Sequence, residues 1–204
     1  MSAESWTYVS ALVVAISGAY YAIRAWQGHV DPNPVSWGVW AFVGVALFLT
    51  ADSSEAGAVY WSALIGAINP TVIAAVIFFR SKNRTYSLQA HEKWCLILAA
   101  MGYAFWFWVR NEPAAASWSL YWMIFVDLFA VWPTLVQVLK DPLSDKPFPW
   151  IVFGIGYGLS GFAIETHTVA NWALTVYMLA GGLTISLPMI IGRVRRGVPI
   201  VEWA

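Results

Sequence analysis

Gly28-His29-Val30-Asp31-Pro32-Asn33-Pro34-Val35-Ser36-Trp37, residues 28–37, is a polar turn set between two apolar runs. Two prolines and an aspartate end a helix that enters it, and Pro34 suits the first position of the next helix. Apolar residues fill Trp6–Ile23 on one side and Val35–Thr50 on the other. The same punctuation recurs through all 204 residues, which are 60% hydrophobic and 11% charged, with a mean hydropathy of +0.64. A soluble domain carries about 25% charged residues. A small soluble core also leaves too much surface in water to hide this much apolar material. Lipid is therefore the expected solvent. A soluble globular enzyme, a disordered chain and a collagenous chain are excluded.

A span needs roughly 17–25 mostly apolar residues. Seven stretches meet or approach that length: Trp6–Ile23, Val35–Thr50, Gly57–Phe79, Trp94–Val109, Ala114–Leu139, Phe148–Ile164 and Thr168–Ile191. Polar breaks separate them, including Asp52 with Glu55 and the long connector Arg80–Lys93. Eleven basic and eleven acidic residues give a formal net charge of zero, so a basic nucleic-acid footprint is absent. Their distribution is lopsided. With seven spans, Arg24, Arg80, Lys82, Arg84, Lys93, Lys140, Lys146, Arg193, Arg195 and Arg196 share one side, against Arg110 on the other. Basic residues collect on the cytoplasmic side of short loops. The expected topology is N-terminus out and C-terminus in, in a bacterial inner (plasma) membrane. Met1–Ser5 has no basic residue, so the first span reads as a retained helix and not a signal peptide. Most of the fourteen tryptophans lie near span ends and read as interfacial anchors; Trp132 lies deeper.

An internal repeat follows from the opening turn. Setting Trp37 on Trp150 places Pro34 on Pro147, and Tyr20-Tyr21 on Pro133-Thr134. A two-residue shift later places Tyr60-Trp61 on Asn171-Trp172. Spans one to three then match spans five to seven, with the fourth between them. An odd linking helix gives both halves the same orientation, a parallel repeat about an axis along the membrane normal. The single domain would comprise residues 6–79, a linker helix 94–109, a second unit 114–191 and a cytoplasmic tail 192–204.

Pro133-Thr134-Leu135-Val136-Gln137 and residues 28–37 carry a family resemblance. This 3+1+3 all-α chain resembles the SWEET and PQ-loop superfamily of small seven-helix membrane transporters. The Pro-Gln pair is not present: Thr134 follows Pro133, and Tyr20-Tyr21 stands where the first-half proline would be. The resemblance implies a uniporter or proton-coupled carrier for a small polar solute such as a sugar, working by alternating access. It implies asparagines around the sugar in the third and seventh spans. Asn69 matches the first, and Tyr177, Thr184 or Ser186 would serve in place of the second.

Polar groups at membrane depth are costly and ask for a reason. Asp127 lies ten residues past Ser117, about 15 Å deep at 1.5 Å per residue. Asn69 lies twelve past Gly57, about 18 Å deep by the same rise. Pro70 has no N–H to donate, which frees a carbonyl near Gly66. The amide and that carbonyl together suit a hydroxyl-bearing solute. Asn69 equally suits a plain interhelical hydrogen bond. Asp127 reads as a solute or proton site, or as a carboxyl clamped by Tyr121, Trp122 or a neighbouring helix. Pro70, Pro133 and Pro188 read as hinges, or as prolines whose neighbours repair the ladder. Gly154 and Gly158 make a small-residue pair for close helix packing.

Other chemistry lacks its residues. Every lysine lies in a connector, against a retinal Schiff base, and no histidine lies deep in a span to ligate haem. His91-Glu92 lacks the second histidine of a zinc-protease helix. Single Cys95 excludes an intrachain disulfide. The expectation is no enzyme, no metal and no cofactor, with a small polar solute and membrane lipids as partners. A homo-oligomer or larger membrane complex is open. The alternative is a non-transporting accessory, receptor or scaffold protein. Its tail Arg193–Ala204 and connector Arg80–Lys93 would dock a partner or anionic lipid.

Overall fold

The computed structural model describes residues 1–53, 57–81, 86–112 and 115–204. Glu55, Lys82 and Arg84 lie outside the described residues. The described chain is all-helical, with seven α-helices: α1 Ala3–Gln27, α2 Pro34–Ser53, α3 Tyr60–Ser81, α4 Ala90–Val109, α5 Ala116–Lys140, α6 Pro147–Ser160 and α7 Val169–Arg195. Short 3₁₀ turns precede α3, follow α6 and close the tail. Four helices are long and apolar enough to cross a membrane: α1, α3, α5 and α7. Pro34–Thr50 in α2 is a shorter apolar stretch. This is the pattern of an integral membrane protein.

Local chemistry sets the helix ends. Ser2 caps α1 by accepting from the Ser5 N–H at 3.2 Å, and Thr168 caps α7 by accepting from the Asn171 N–H at 3.3 Å. Such side-chain oxygens satisfy N–H groups that have no partner inside the helix. Gly28 ends α1 at φ 80°, a left-handed conformation that a side chain resists. Pro34 and Pro147 each open a helix, as their missing N–H allows. Asn33 bridges the turn, accepting from Val35 and Ser36 N–H groups at 3.0 Å and donating to Glu92 at 2.7 Å.

Paired residues fix the helix directions. Ser10 meets Ser62 and Ala25 meets Arg80, so α1 and α3 run parallel. Phe48 meets Tyr60, so α2 opposes α3. Ser17 bonds Pro149 and Ser10 bonds Gly156, so α6 opposes α1. Thr134 bonds Ser36, while Trp106 bonds Thr50 and Glu92 bonds Asn33. Odd-numbered helices thus run one way and even-numbered helices the other. One end of the bundle carries Arg24, Arg80, Lys93, Lys140, Lys146, Arg193, Arg195 and Arg196; Arg110 stands at the other. We call the first the basic end.

Helix packing closes a ring. α3 packs against both α1 and α2, and α7 packs against both α5 and α6. α1 then meets α6, and α2 meets α5, so the order is α1–α3–α2–α5–α7–α6 and back to α1. α4 lies outside, mainly on α5. Glycine permits the tightest approaches. A methyl at Gly182 would stand 2.5 Å from the Trp150 carbonyl oxygen and 3.1 Å from Gly154 Cα, so α6 and α7 touch by backbone. The expected role of Gly154 in packing agrees with this contact.

The tail is exposed along most of its length, as expected, but Arg193 at its start is buried. Arg193 is 2% exposed. Lys146 Nζ donates to the Glu202 carbonyl and Arg24 to the Ala204 carbonyl, which folds the tail onto the basic end. These carbonyl acceptors hold it against the bundle.

Candidate functional site

Inside the ring lies a cavity of ≈ 80 Å³ lined from all six ring helices. A site for one water needs roughly 10–15 Å³ on the same measure, so several waters or one small solute fit. Asn69, Pro70, Asp127 and Tyr177 all line it. They come from α3, α5 and α7, well apart in sequence. Thr184 does not: it is exposed on α7. Ser186 is buried but turns back to donate to the Leu183 carbonyl at 3.1 Å. On α7 the lining face is centred near Gly181 and Ile185, with Tyr177 at its edge; Thr184 falls just beyond that edge, and Ser186, nine residues past Tyr177, falls opposite Tyr177.

Asn69 is held between two helices. Its Nδ2 donates to the Val14 carbonyl of α1 at 2.9 Å, the interhelical bond anticipated as one reading. A methyl at Gly18 would stand 2.0 Å from Asn69 Cγ, so glycine makes room for the amide. That bond uses one of the two Nδ2 hydrogens, and Asn69 itself lines the cavity. One turn earlier, Gly66 also lines the cavity, and a methyl there would stand 2.1 Å from the Tyr157 hydroxyl. Tyr157 donates instead to the Ser62 carbonyl at 3.0 Å.

Asp127 is 5% exposed. Its clamp is the Tyr177 hydroxyl, which donates to Oδ2, with Trp40 as a second hydrogen-bonding neighbour. Tyr121 and Trp122 are not the clamp: Trp122 Nε1 donates to the Gly102 carbonyl at 3.1 Å, and Tyr121 packs on Trp118. They sit about a turn or more before Asp127 and face α4 or the helix's own surface.

Pro70 lines the cavity, whereas Pro133 and Pro188 do not. Pro133 is buried on the α2 side, where the following Thr134 N–H donates to Ser36 Oγ at 3.2 Å. A ladder donor beside that proline is thus repaired by a neighbour.

Three tryptophans expected at the interface, Trp37, Trp40 and Trp150, are instead buried inside, beside Tyr21. Tyr21, Trp37, Trp40 and Trp150 pack together with centroids 4.8–5.7 Å apart and line the cavity. The Trp37–Trp40 spacing, three residues apart on one helical face, was the signal for them. Next to this cluster, toward the basic end, stands Asp145. It accepts from the Tyr21 hydroxyl at 2.8 Å, Trp150 Nε1 at 3.1 Å and the Lys146 N–H at 2.6 Å. Burial pushes its carboxyl up to about 6, against the pull of these donors and of the Arg193 guanidinium. Arg193 donates to the Pro142 and Asp145 carbonyls, which ties α7 to the same connector. Nothing local in the sequence separates Asp145 from a solvated loop acid.

Among the described residues no group of three His, Cys, Asp or Glu side chains could hold a metal ion. No family model, curated protein or solved structure matches this chain.

Proposed function

We propose that this chain is a SWEET-like carrier of seven spans, N-out and C-in, built as 3+1+3 and moving a small polar solute by alternating access. The observation that carries the reading is the cavity between two helix triplets, whose polar groups Asn69, Asp127 and Tyr177 come from both. Supporting it, each triplet packs its third helix between the first two. The repeat register adds a second argument. Residues near a two-fold axis meet their own mates, and Trp37 lies 5.6 Å from Trp150 while the Asp31 N–H donates to the Ser144 carbonyl at 3.0 Å. α4 and α6 cross as shorter spans in this reading, and the basic end faces the cytoplasm. In this reading the aromatic cluster and the Asp145 contacts form the closure of the inner end.

The test is uptake into proteoliposomes of a panel of sugars, polyols, amino acids and amines. The variant D31C/S144C, in a Cys95→Ala background, joins the two triplets at the basic end. Flux of at least one solute, lost on oxidation and restored by reduction, is expected. No flux for any class would leave the chain as a non-transporting membrane module.

A further inference from the structure

The cavity's polar groups are unequally free. Tyr21 is committed to Asp145, Tyr157 to the Ser62 carbonyl, Tyr177 to Asp127, and Ser17 to the Pro149 carbonyl at 2.8 Å. Among the described lining side chains, the Asp127 carboxyl, the unused half of the Asn69 amide and the unpartnered Trp37 Nε1–H remain to meet a solute. A sugar presents a hydroxyl on nearly every carbon, and each one left unpaired in such a site is costly. Charge points elsewhere. Asp127 is the sole formally charged side chain in the lining, and no Lys, Arg or His joins it. The remaining wall is apolar and carries seven aromatic side chains, with Trp40, Trp150, Phe153 and Tyr177 among them. Ring faces attract cations most strongly where water is excluded. A carboxylate taken out of water needs a counter-charge, supplied by a proton or a bound cation.

Resting on the carrier reading, we propose that the cavity takes a small organic monocation, an alkyl or quaternary ammonium, in exchange for the proton on Asp127. The exchange balances. The empty site holds a neutral carboxylic acid; the loaded site holds carboxylate and ammonium, and one proton leaves to solvent. Titratable groups around Asp127 are phenols and a thiol: Tyr177 from α7, Tyr157 from α6, Tyr21 from α1 and Cys95 from α4. α2 presents the Trp40 indole, which does not titrate. None of them carries a positive charge to replace the cation.

The probes are choline and 3,3-dimethylbutan-1-ol, which share a shape and differ in charge. Binding to the purified full chain is measured by calorimetry from pH 6 to 8, in two buffers of different ionisation enthalpy. Choline is expected to bind at least about tenfold more tightly than the alcohol, a 1.4 kcal/mol difference. About one proton should leave per choline, and affinity should rise toward about tenfold per pH unit while Asp127 stays protonated. Asp127→Asn keeps the Tyr177 bond and should abolish both the preference and the proton release. If that variant does not fold, Tyr177→Phe should keep the preference, since it retains the carboxyl. Equal binding of choline and alcohol, or no choline binding, overturns the proposal. Glucose binding more tightly than choline, without proton release, also overturns it. Flux of a neutral solute alongside either failure leaves the carrier reading standing; absence of flux for every class sinks that reading separately.

Discussion

Asp145 sits in the connector between α5 and α6, 2% exposed, and ties three elements together. Its folded carboxyl titrates near 6 because burial disfavours the charged form, against an ordinary value of 3.8. The fold therefore prefers the protonated acid. Stability from this group is full below about pH 4 and is lost as pH rises through about 6. The difference is on the order of 3 kcal/mol at 1.36 kcal/mol per unit. Thermal unfolding from pH 4 to 7 should show this loss, and Asp145→Asn should flatten it; equal slopes for the two proteins would refute the assignment. Gly18 gives a second residue-scale prediction. Alanine there should push Asn69 off the Val14 carbonyl, at about 1–3 kcal/mol. A melting temperature unchanged from wild type would mean the amide simply rotates aside. At this scale the sequence was partly legible. Asn69 and Asp127 stood out because lipid makes a polar group conspicuous. Asp145 and Arg193 did not, because a connector is expected to be polar whether it is solvated or buried.

At the scale of elements, α6 and α7 meet through glycine. Gly182→Ala would drive a methyl into the Trp150 carbonyl and Gly154 Cα, and backbone cannot turn aside as a side chain can. A loss of about 1–3 kcal/mol is expected. Its neighbour is the control. A methyl at Gly181 meets nothing within 4 Å, so Gly181→Ala should stabilise by up to about 1 kcal/mol through helix propensity. Denaturation of both variants in one detergent reads the contrast. Equal effects would show that α6 and α7 do not rely on this approach. The helices themselves were readable in advance. Each of the seven apolar stretches has its α-helix, with boundaries shifted by a turn or less at most ends. Pro34, Pro147, Ser2 and Thr168 mark starts by chemistry that acts locally.

The whole molecule turns on which contacts cross between triplets. Asp31 with Ser144, and Tyr21 with Asp145, join the two at the basic end. Ser10 and Ser62 lie 2.5 Å apart, Oγ to Oγ, within one triplet. On the carrier reading proposed above, a disulfide in S10C/S62C should leave solute flux near wild type, whereas D31C/S144C should stop it reversibly. Both pairs are read in Cys95→Ala protein, with and without reductant. Loss of flux from the within-triplet bond would mean the two units do not move as bodies. Cross-triplet contacts of this kind span more than a hundred residues, and no local pattern records them.

Composition and punctuation alone determined the solvent, the helices and the lopsided charge. Hydrophobic periodicity and proline chemistry act over a few residues, so they are written in the chain. The tertiary structure decided which polar and aromatic groups share a cavity. Trp26, 61% exposed, and Trp37, 7% exposed, look alike as tryptophans near a span end. Only the ring order α1–α3–α2–α5–α7–α6 turns Trp37, Trp40 and Trp150 inward beside Asp127 and sends Thr184 outward. The face a helix buries depends on its neighbours, and those neighbours come from distant parts of the chain.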